Sequence, residues 1–341
     1  MNTRKLGLGL AAALILPASA QAQEVILKVA HFLTPTTPAH ARFIAPWCDR
    51  IAAESQGRMK CQIYPAMQLG GTPPQLLNQV RDGVADIVWT LPGYTPGRFP
   101  ITEVFELPFF STSYGATSRA LWDFVEGSAA SEFSGLRPIA VWTAGPYLLH
   151  FRSRQVNTLD DLKGLKVRTP SRLGNRMLAA LGATPVGMPA PQMTEGLAKG
   201  VIDGALLPWE VVPALKIQEL TRYHAEPTGE IALNTATTIF VMGQKKYDSL
   251  PDDLKKVIDD NRGREVSAFA ATQLEEAGKS GREATAGNGN TIYQIAPAEL
   301  ERWKQATAAV AEEWIKDISD KGMDGRRLHA EAAGLVKKYS H

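Results

Sequence analysis

The chain has 341 residues, 44% of them hydrophobic and 21% charged, which is enough apolar material for two substantial cores and too much for a disordered polymer. Its 37 basic and 35 acidic side chains are spread along the sequence and leave a net charge of +2, so no basic stripe argues for nucleic acid. Beyond the amino-terminal segment, no run reaches the roughly 18 uninterrupted apolar residues of a membrane-spanning helix.

In chain order, Arg4 and Lys5 precede an apolar run from Leu6 to Pro17, and Ala18, Ala20 and Ala22 then supply two overlapping A-x-A cleavage sites. Residues 1–22 therefore read as a secretory signal peptide, with a mature start near Gln21 or Gln23. Export places Cys48 and Cys61 in an oxidising compartment. Cys48 falls in a helix predicted over Pro38–Glu54 and Cys61 in a strand predicted over Met59–Tyr64, so both belong to one helix–strand unit. A disulfide worth about 2–4 kcal/mol is expected, with two buried thiols as the alternative. No further cysteine and no paired histidine spacing accompanies them, so no metal site is expected.

Strand and helix patterns alternate from Val25–Ala30 through a helix over Pro73–Asp82 to a strand over Asp86–Thr90, an α/β layout with a mainly parallel sheet. An internal echo accompanies it. Pro74-Gln75, followed eight residues after the glutamine by Gly83-Val84-Ala85-Asp86, recurs as Pro191-Gln192 followed at the same distance by Gly200-Val201-Ile202-Asp203. Coincidence is one explanation; two lobes built on one plan is the other.

Strand-like runs at Ile139–Thr143 and Tyr147–Phe151 flank Ala144-Gly145-Pro146, a breaker of the kind found where a chain crosses between lobes. A return crossing fits the Thr-rich stretch Ile231–Met242, which leads into a strand over Thr238–Met242. Between the crossings, D-D-L-K-G-L-K-V-R-T-P (Asp160–Pro170) packs a short helix, a glycine stop and the strand Leu165–Arg168, ahead of a helix over about Ser171–Leu181. Arg168 stands at the carboxyl end of that strand, the edge where open α/β sheets bind ligands, and its planar fork suits a carboxylate. A solvated surface ion pair is the competing reading. The last third is helical: a capped start at Ser249-Leu250-Pro251-Asp252-Asp253 predicts a helix to about Ala286, a second runs from Pro297 to Ile318, and Arg326–Tyr339 forms a third.

No catalytic constellation is present in the sequence: it contains no G-x-S-x-G, H-E-x-x-H, C-x-x-C, Walker or dinucleotide fingerprint, and its six histidines are scattered. Only His150, in the strand after the breaker, stands out, and a hydrogen-bonded structural histidine explains it better than a base or a ligand does.

The signal peptide, the D-D-L-K-G-L-K-V-R-T-P segment, Met67-Gln68-Leu69-Gly70-Gly71, G-V-A-D-I-V-W, and G-V-I-D-G at 200–204 with S-L-P opening a helix together resemble the substrate-binding subunit of the TRAP (tripartite ATP-independent periplasmic) transporters, in order over essentially the whole mature chain. The resemblance implies a two-lobed α/β periplasmic binding protein with hinge crossings and long carboxyl-terminal helices bridging the lobes. It also implies closure on an organic acid for delivery to a membrane permease, with Arg168 pairing the ligand carboxylate. The expected division is 23–145 for the first lobe, completed by about 234–275, and 146–233 for the second, completed by about 276–341.

Relatives that bind sugar acids carry a second arginine where this chain has Tyr147, and an asparagine where it has Leu207. Arg152 or Arg154 is the alternative for that second cation. Trp209, after Pro208, and Trp89, at the end of the matching strand, are candidate aromatic walls, with packing in the core as the alternative for each. The expected ligand-binding set is thus Arg168, Trp209, Tyr147, Trp89, His150 and Leu207, taking an aromatic or bulky apolar monocarboxylate. The alternative ligand is a short dicarboxylate or aliphatic oxo acid. No cofactor and no nucleic-acid partner is expected, and the protein reads as a monomer. The competing class is a periplasmic enzyme on an organic acid, with His150 or Glu210 as base. A receptor serving a membrane sensor kinase is a third reading.

Overall fold

The computed structural model describes residues 24–111, 113–229 and 232–340. The signal peptide and Ile231, where the return crossing is expected to begin, lie outside the described residues. Eleven strands among the described residues build two sheets. The first has the order β2-β1-β3-β10-β4, from Val25–His31 (β1), Met59–Tyr64 (β2), Ile87–Thr90 (β3), Leu136–Thr143 (β4) and Thr237–Gly243 (β10). The second has the order β11-β9-β5-β8-β6-β7, from Leu148–Phe151 (β5), Lys166–Thr169 (β6), Thr184–Gly187 (β7), Gly204–Leu207 (β8), Tyr223–Glu226 (β9) and Thr291–Gln294 (β11). β1 runs parallel to β2 and β3, and β6 to β7 and β8; β10 and β5, the strands that enter each sheet from the other lobe, are antiparallel to their neighbours. Every residue of β10 is buried, in keeping with its near-continuous apolar sequence between β3 and β4.

The internal echo is a structural repeat. Gly83 and Gly200 each take positive φ (77° and 71°), turning the chain out of the preceding helix where a side chain would be strained. Three residues later, Asp86 accepts the Lys28 N–H on its carboxylate (2.8 Å) while its own N–H donates to the Lys28 carbonyl (2.9 Å). Asp203 does the same to Lys166, with both bonds at 2.8 Å. In each lobe one aspartate thus pins the incoming strand beside its parallel partner.

The crossings β4→β5 and β9→β10 lie side by side: the Ala144 N–H donates to Ala236 O (2.9 Å), the Tyr147 N–H to Asn234 O (3.0 Å) and the Thr235 hydroxyl to Ala144 O (2.5 Å). Cys48 and Cys61 form a disulfide between helix Ala45–Glu54 and β2, with Cα atoms 5.6 Å apart.

Three expectations are corrected. The helix expected from Pro38 opens with a wider π-type segment, Ala39–Ile44, before the α-helix Ala45–Glu54. Pro46 explains this, since it has no N–H for the i−4 carbonyl. The single helix expected from Ser249 to Ala286 is two, Asp252–Asp260 and Arg264–Gly287. Gly263 separates them with φ 123°, outside any helix, and donates its N–H to Ile139 O. Segment 276–341 does not all complete the second lobe. β11 pairs with β9 and Pro297–Thr307 packs on the second lobe, but the last helix, Gly325–Tyr339, lies on Tyr114–Glu126 of the first. Leu328, Ala332 and Val336 form its buried face, and Tyr339 donates to Asp123 (2.5 Å).

Candidate ligand-binding site

The carboxyl ends of the parallel strands of both sheets converge on one cavity of about 50 Å³. Phe32 and Leu33 follow β1, Leu91 and Tyr94 follow β3, Arg168 stands in β6, and Pro208 and Glu210 follow β8. Thr37 and Pro38, which lead into the π-type segment, its first residue Ala39, and Leu274 of helix Arg264–Gly287 also line the cavity. Only Arg168 and Glu210 among the lining residues carry ionisable charge at neutral pH.

Arg168 is 2% exposed. Its Nε donates to Met188 O (2.9 Å) and its Nη1 to Leu206 O (3.4 Å), which fixes the fork without neutralising it. Among the described residues no carboxylate forms an ion pair with it. A buried guanidinium so placed is costly, and an incoming carboxylate offsets that cost. Tyr94 borders the same group from the other lobe. Its hydroxyl accepts the Ala190 N–H (3.0 Å); burial raises its pKa and the Arg168 charge pulls it partly back. Glu210 accepts the Gly145 N–H (2.9 Å), and burial pushes its pKa up to about 7. Glu106, beneath the wall, accepts the Thr237 N–H and hydroxyl (2.9 and 2.6 Å) and is likewise raised by burial to about 7. Burial thus disfavours negative charge on both carboxyls, which leaves the Arg168 guanidinium as the dominant charge of the site.

Arg168, Tyr147, Trp89 and Leu207 all line the cavity. Trp209 and His150 do not. In the turn Trp209–Val211, Pro208 and Glu210 face the cavity, so Trp209 between them faces away. Its Nε1 donates to Glu226 (2.9 Å) and its ring lines a separate crevice with Tyr114 and Arg282. His150 is fully buried inside the second lobe, where β5 pairs with β9. Its surroundings define a neutral relay: Asn290 donates to His224 Nε2 (3.0 Å), His224 Nδ1–H to His150 Nδ1 (2.7 Å), and His150 Nε2–H to Leu207 O (3.1 Å). Burial holds both rings below the usual histidine range, His224 at about 4. Neither candidate second cation reaches the cavity either. Arg152 packs against the Gly200 turn, and Arg154 pairs with Asp161 (3.4 Å) on the surface. Phe32, Leu91, Tyr94 and Thr238 are wall residues that sequence reasoning missed. Tyr94 carried a signal, since it follows a strand end through Pro92-Gly93, as Arg168 precedes Pro170.

The lobes stand closed on one another. Besides Tyr94–Ala190, Arg172 of the second lobe bonds Glu103 of the first through Nε and Nη2 (3.0 and 2.6 Å), and also Asp317. Two α/β lobes joined by paired crossings and closed over one buried arginine define a cleft-type binding protein. More narrowly, the chain belongs to the bacterial extracellular solute-binding proteins of family 7, the DctP family, whose sequence profile matches residues 29–317.

Two solved structures are close in shape and sequence. One is a TRAP solute-binding protein from a marine metagenome, described as specific for aromatic acid ligands and solved with 3-hydroxybenzoate. It is 43% identical, with TM-score 0.92, over 94% of this chain and 100% of that one. The other, from Rhodoferax ferrireducens T118, was solved with copurified benzoate. It is 45% identical, with TM-score 0.91, over 93% of this chain and 98% of that one. The C4-dicarboxylate-binding periplasmic protein DctP of Rhodobacter capsulatus is 24% identical over 90% of this chain and 92% of its own. No helix among the described residues is long and apolar enough to cross a membrane.

Proposed function

We propose that the protein is a periplasmic receptor, exported through a cleaved signal peptide, that closes on an aromatic monocarboxylate and delivers it as a monomer to a TRAP-type permease without altering it. The observation that carries this reading is the single buried, ion-pair-free Arg168 facing a wall of Phe32, Trp89, Tyr94 and Tyr147. One fork fixes one carboxylate, and flat rings supply an apolar slot for an aryl body. A dicarboxylate would place its second charge beside Leu207 or Glu210, with no further cation in the lining. The ligands of the two similar structures, 3-hydroxybenzoate and benzoate, support the same class. Glu210, with its raised pKa, is the group an enzyme reading would use, but one of its oxygens is already held by Gly145.

A thermal-shift panel of benzoate, hydroxybenzoates, mandelate, succinate and malate tests the proposal. An aryl acid at 100 times its dissociation constant is expected to stabilise the protein by about 2.7 kcal/mol and to be recovered unchanged by NMR. Stabilisation by succinate or malate alone would overturn the ligand class, and turnover would overturn the receptor role.

A further inference from the structure

One donor in the cavity wall has nothing to donate to. Trp89 lines the cavity and is 4% exposed, and its indole Nε1 is buried without a hydrogen-bond partner among the described residues. The indole N–H is a donor only, so it needs an acceptor. The ring has little freedom to turn away and find one: Phe32 packs at 5.0 Å between centroids, His31 at 5.5 Å, and Trp142 stacks behind at 6.4 Å with planes 13° apart. Trp142 also has an unpartnered Nε1, but that ring stands outside the cavity wall, whereas the Trp89 ring forms part of it. With Arg168 taking the carboxylate, an acceptor elsewhere on the ligand would satisfy the Trp89 N–H.

We propose that Trp89 is a specificity-determining residue whose N–H reads an oxygen substituent, such as a phenolic hydroxyl, on the aromatic ring of the acid that Arg168 holds. The inference rests on the aromatic-monocarboxylate reading above and narrows it to hydroxyaryl acids. An unsubstituted or methylated ring leaves the N–H buried and unpaired, and a site built to bond an oxygen discriminates strongly against analogues that lack it.

The test is calorimetric titration of the mature protein with 2-, 3- and 4-hydroxybenzoate and with the three methylbenzoates of matching geometry. At least one hydroxy isomer is expected to bind about tenfold or more tighter than its methyl counterpart. Trp89→Phe should erase that preference, weakening the hydroxy acid by about tenfold while the methyl acid stays within about threefold. Because the substitution also trims the stack on Trp142, a second readout uses the unaltered protein. The Trp89 indole N–H resonance should move downfield with the hydroxy isomer and not with the methyl one, while that of Trp142 stays in place. Equal affinity for hydroxy and methyl acids, equal losses for both in Trp89→Phe, or an indole resonance indifferent to the hydroxyl would overturn the inference and leave the aromatic-acid reading standing. Failure of every benzoate to bind would overturn both.

Discussion

Arg168 owes its role to strand position. A guanidinium on an exposed helix would find water or a surface carboxylate, but here β6 holds it between β7 and β8, and the carbonyls of Met188 and Leu206 take two of its donors. Its removal should cost ligand binding about 2–5 kcal/mol, since the ligand carboxylate would enter a dry site unpaired. Arg168→Lys should recover little, because one ammonium cannot hold both carbonyls and also present a planar fork. Calorimetric titration of both variants with an aryl acid checks this; Arg168→Ala binding within a few-fold of the parent would place the anchor elsewhere. The direction of Trp209 was not readable in the same way. A strand alternates its side chains by rule, but a short turn after a strand does not, and whether Trp209 or Glu210 faces inward depends on contacts with Glu226 and Gly145 far along the chain.

At the scale of elements, the pair Asp86 and Asp203 shows what a sequence echo is for. Each carboxylate and its own amide close a two-point clamp on the first residues of a parallel strand pair, so the G-V-x-D turn sets register as well as direction. Asp203→Ala should lower the unfolding free energy by about 1.5–3 kcal/mol, the usual range for a hydrogen bond to a charged group. It should appear as a shifted denaturant midpoint at constant slope; an unchanged midpoint would mean that the ladder fixes β6 unaided. Elements with such signals were legible: β2, β3 and β6 run between glycine and proline stops and carry β-branched residues, β1 is a β-branched run, and β8 follows the second G-V-x-D turn and stops at Pro208. β7, β9 and β11 were not, because T-P-V-G, Y-H-A-E and T-I-Y-Q are four-residue segments without periodicity, made strands by the neighbour they pair with. The site divides along the same line. Arg168 lies inside a patterned segment, whereas Phe32, Tyr94 and Thr238, far apart in sequence, come together only because β1, β3 and β10 are neighbours in the first sheet.

For the whole molecule, closure depends on how near the lobes can approach, and at Gly93 they meet backbone to backbone. It sits in the turn Pro92–Tyr94 of the first lobe, and a Cβ there would stand 2.8 Å from the Ser171 Cβ and 3.1 Å from the Pro170 carbonyl of the second. Those atoms belong to or adjoin the backbone, so they cannot swing aside as the tip of a long side chain would. Gly93 does not have positive φ, so Gly93→Ala strains neither lobe internally and opposes only their meeting. Tyr94 and Arg172 flank this point and carry the bonds that span the cleft, to Ala190 and Glu103, so a methyl group here also loosens both. Overpacking of this kind costs about 1–3 kcal/mol, which applied to the closed state alone weakens an aryl acid by roughly 5- to 150-fold. The unliganded variant should unfold at the parent's denaturant midpoint if the parent rests open without ligand. Its scattering radius at ligand saturation should stay nearer the unliganded value. Parent affinity together with full compaction would mean that Ser171 and Pro170 yield, and that the lobes close by a route Gly93 does not control.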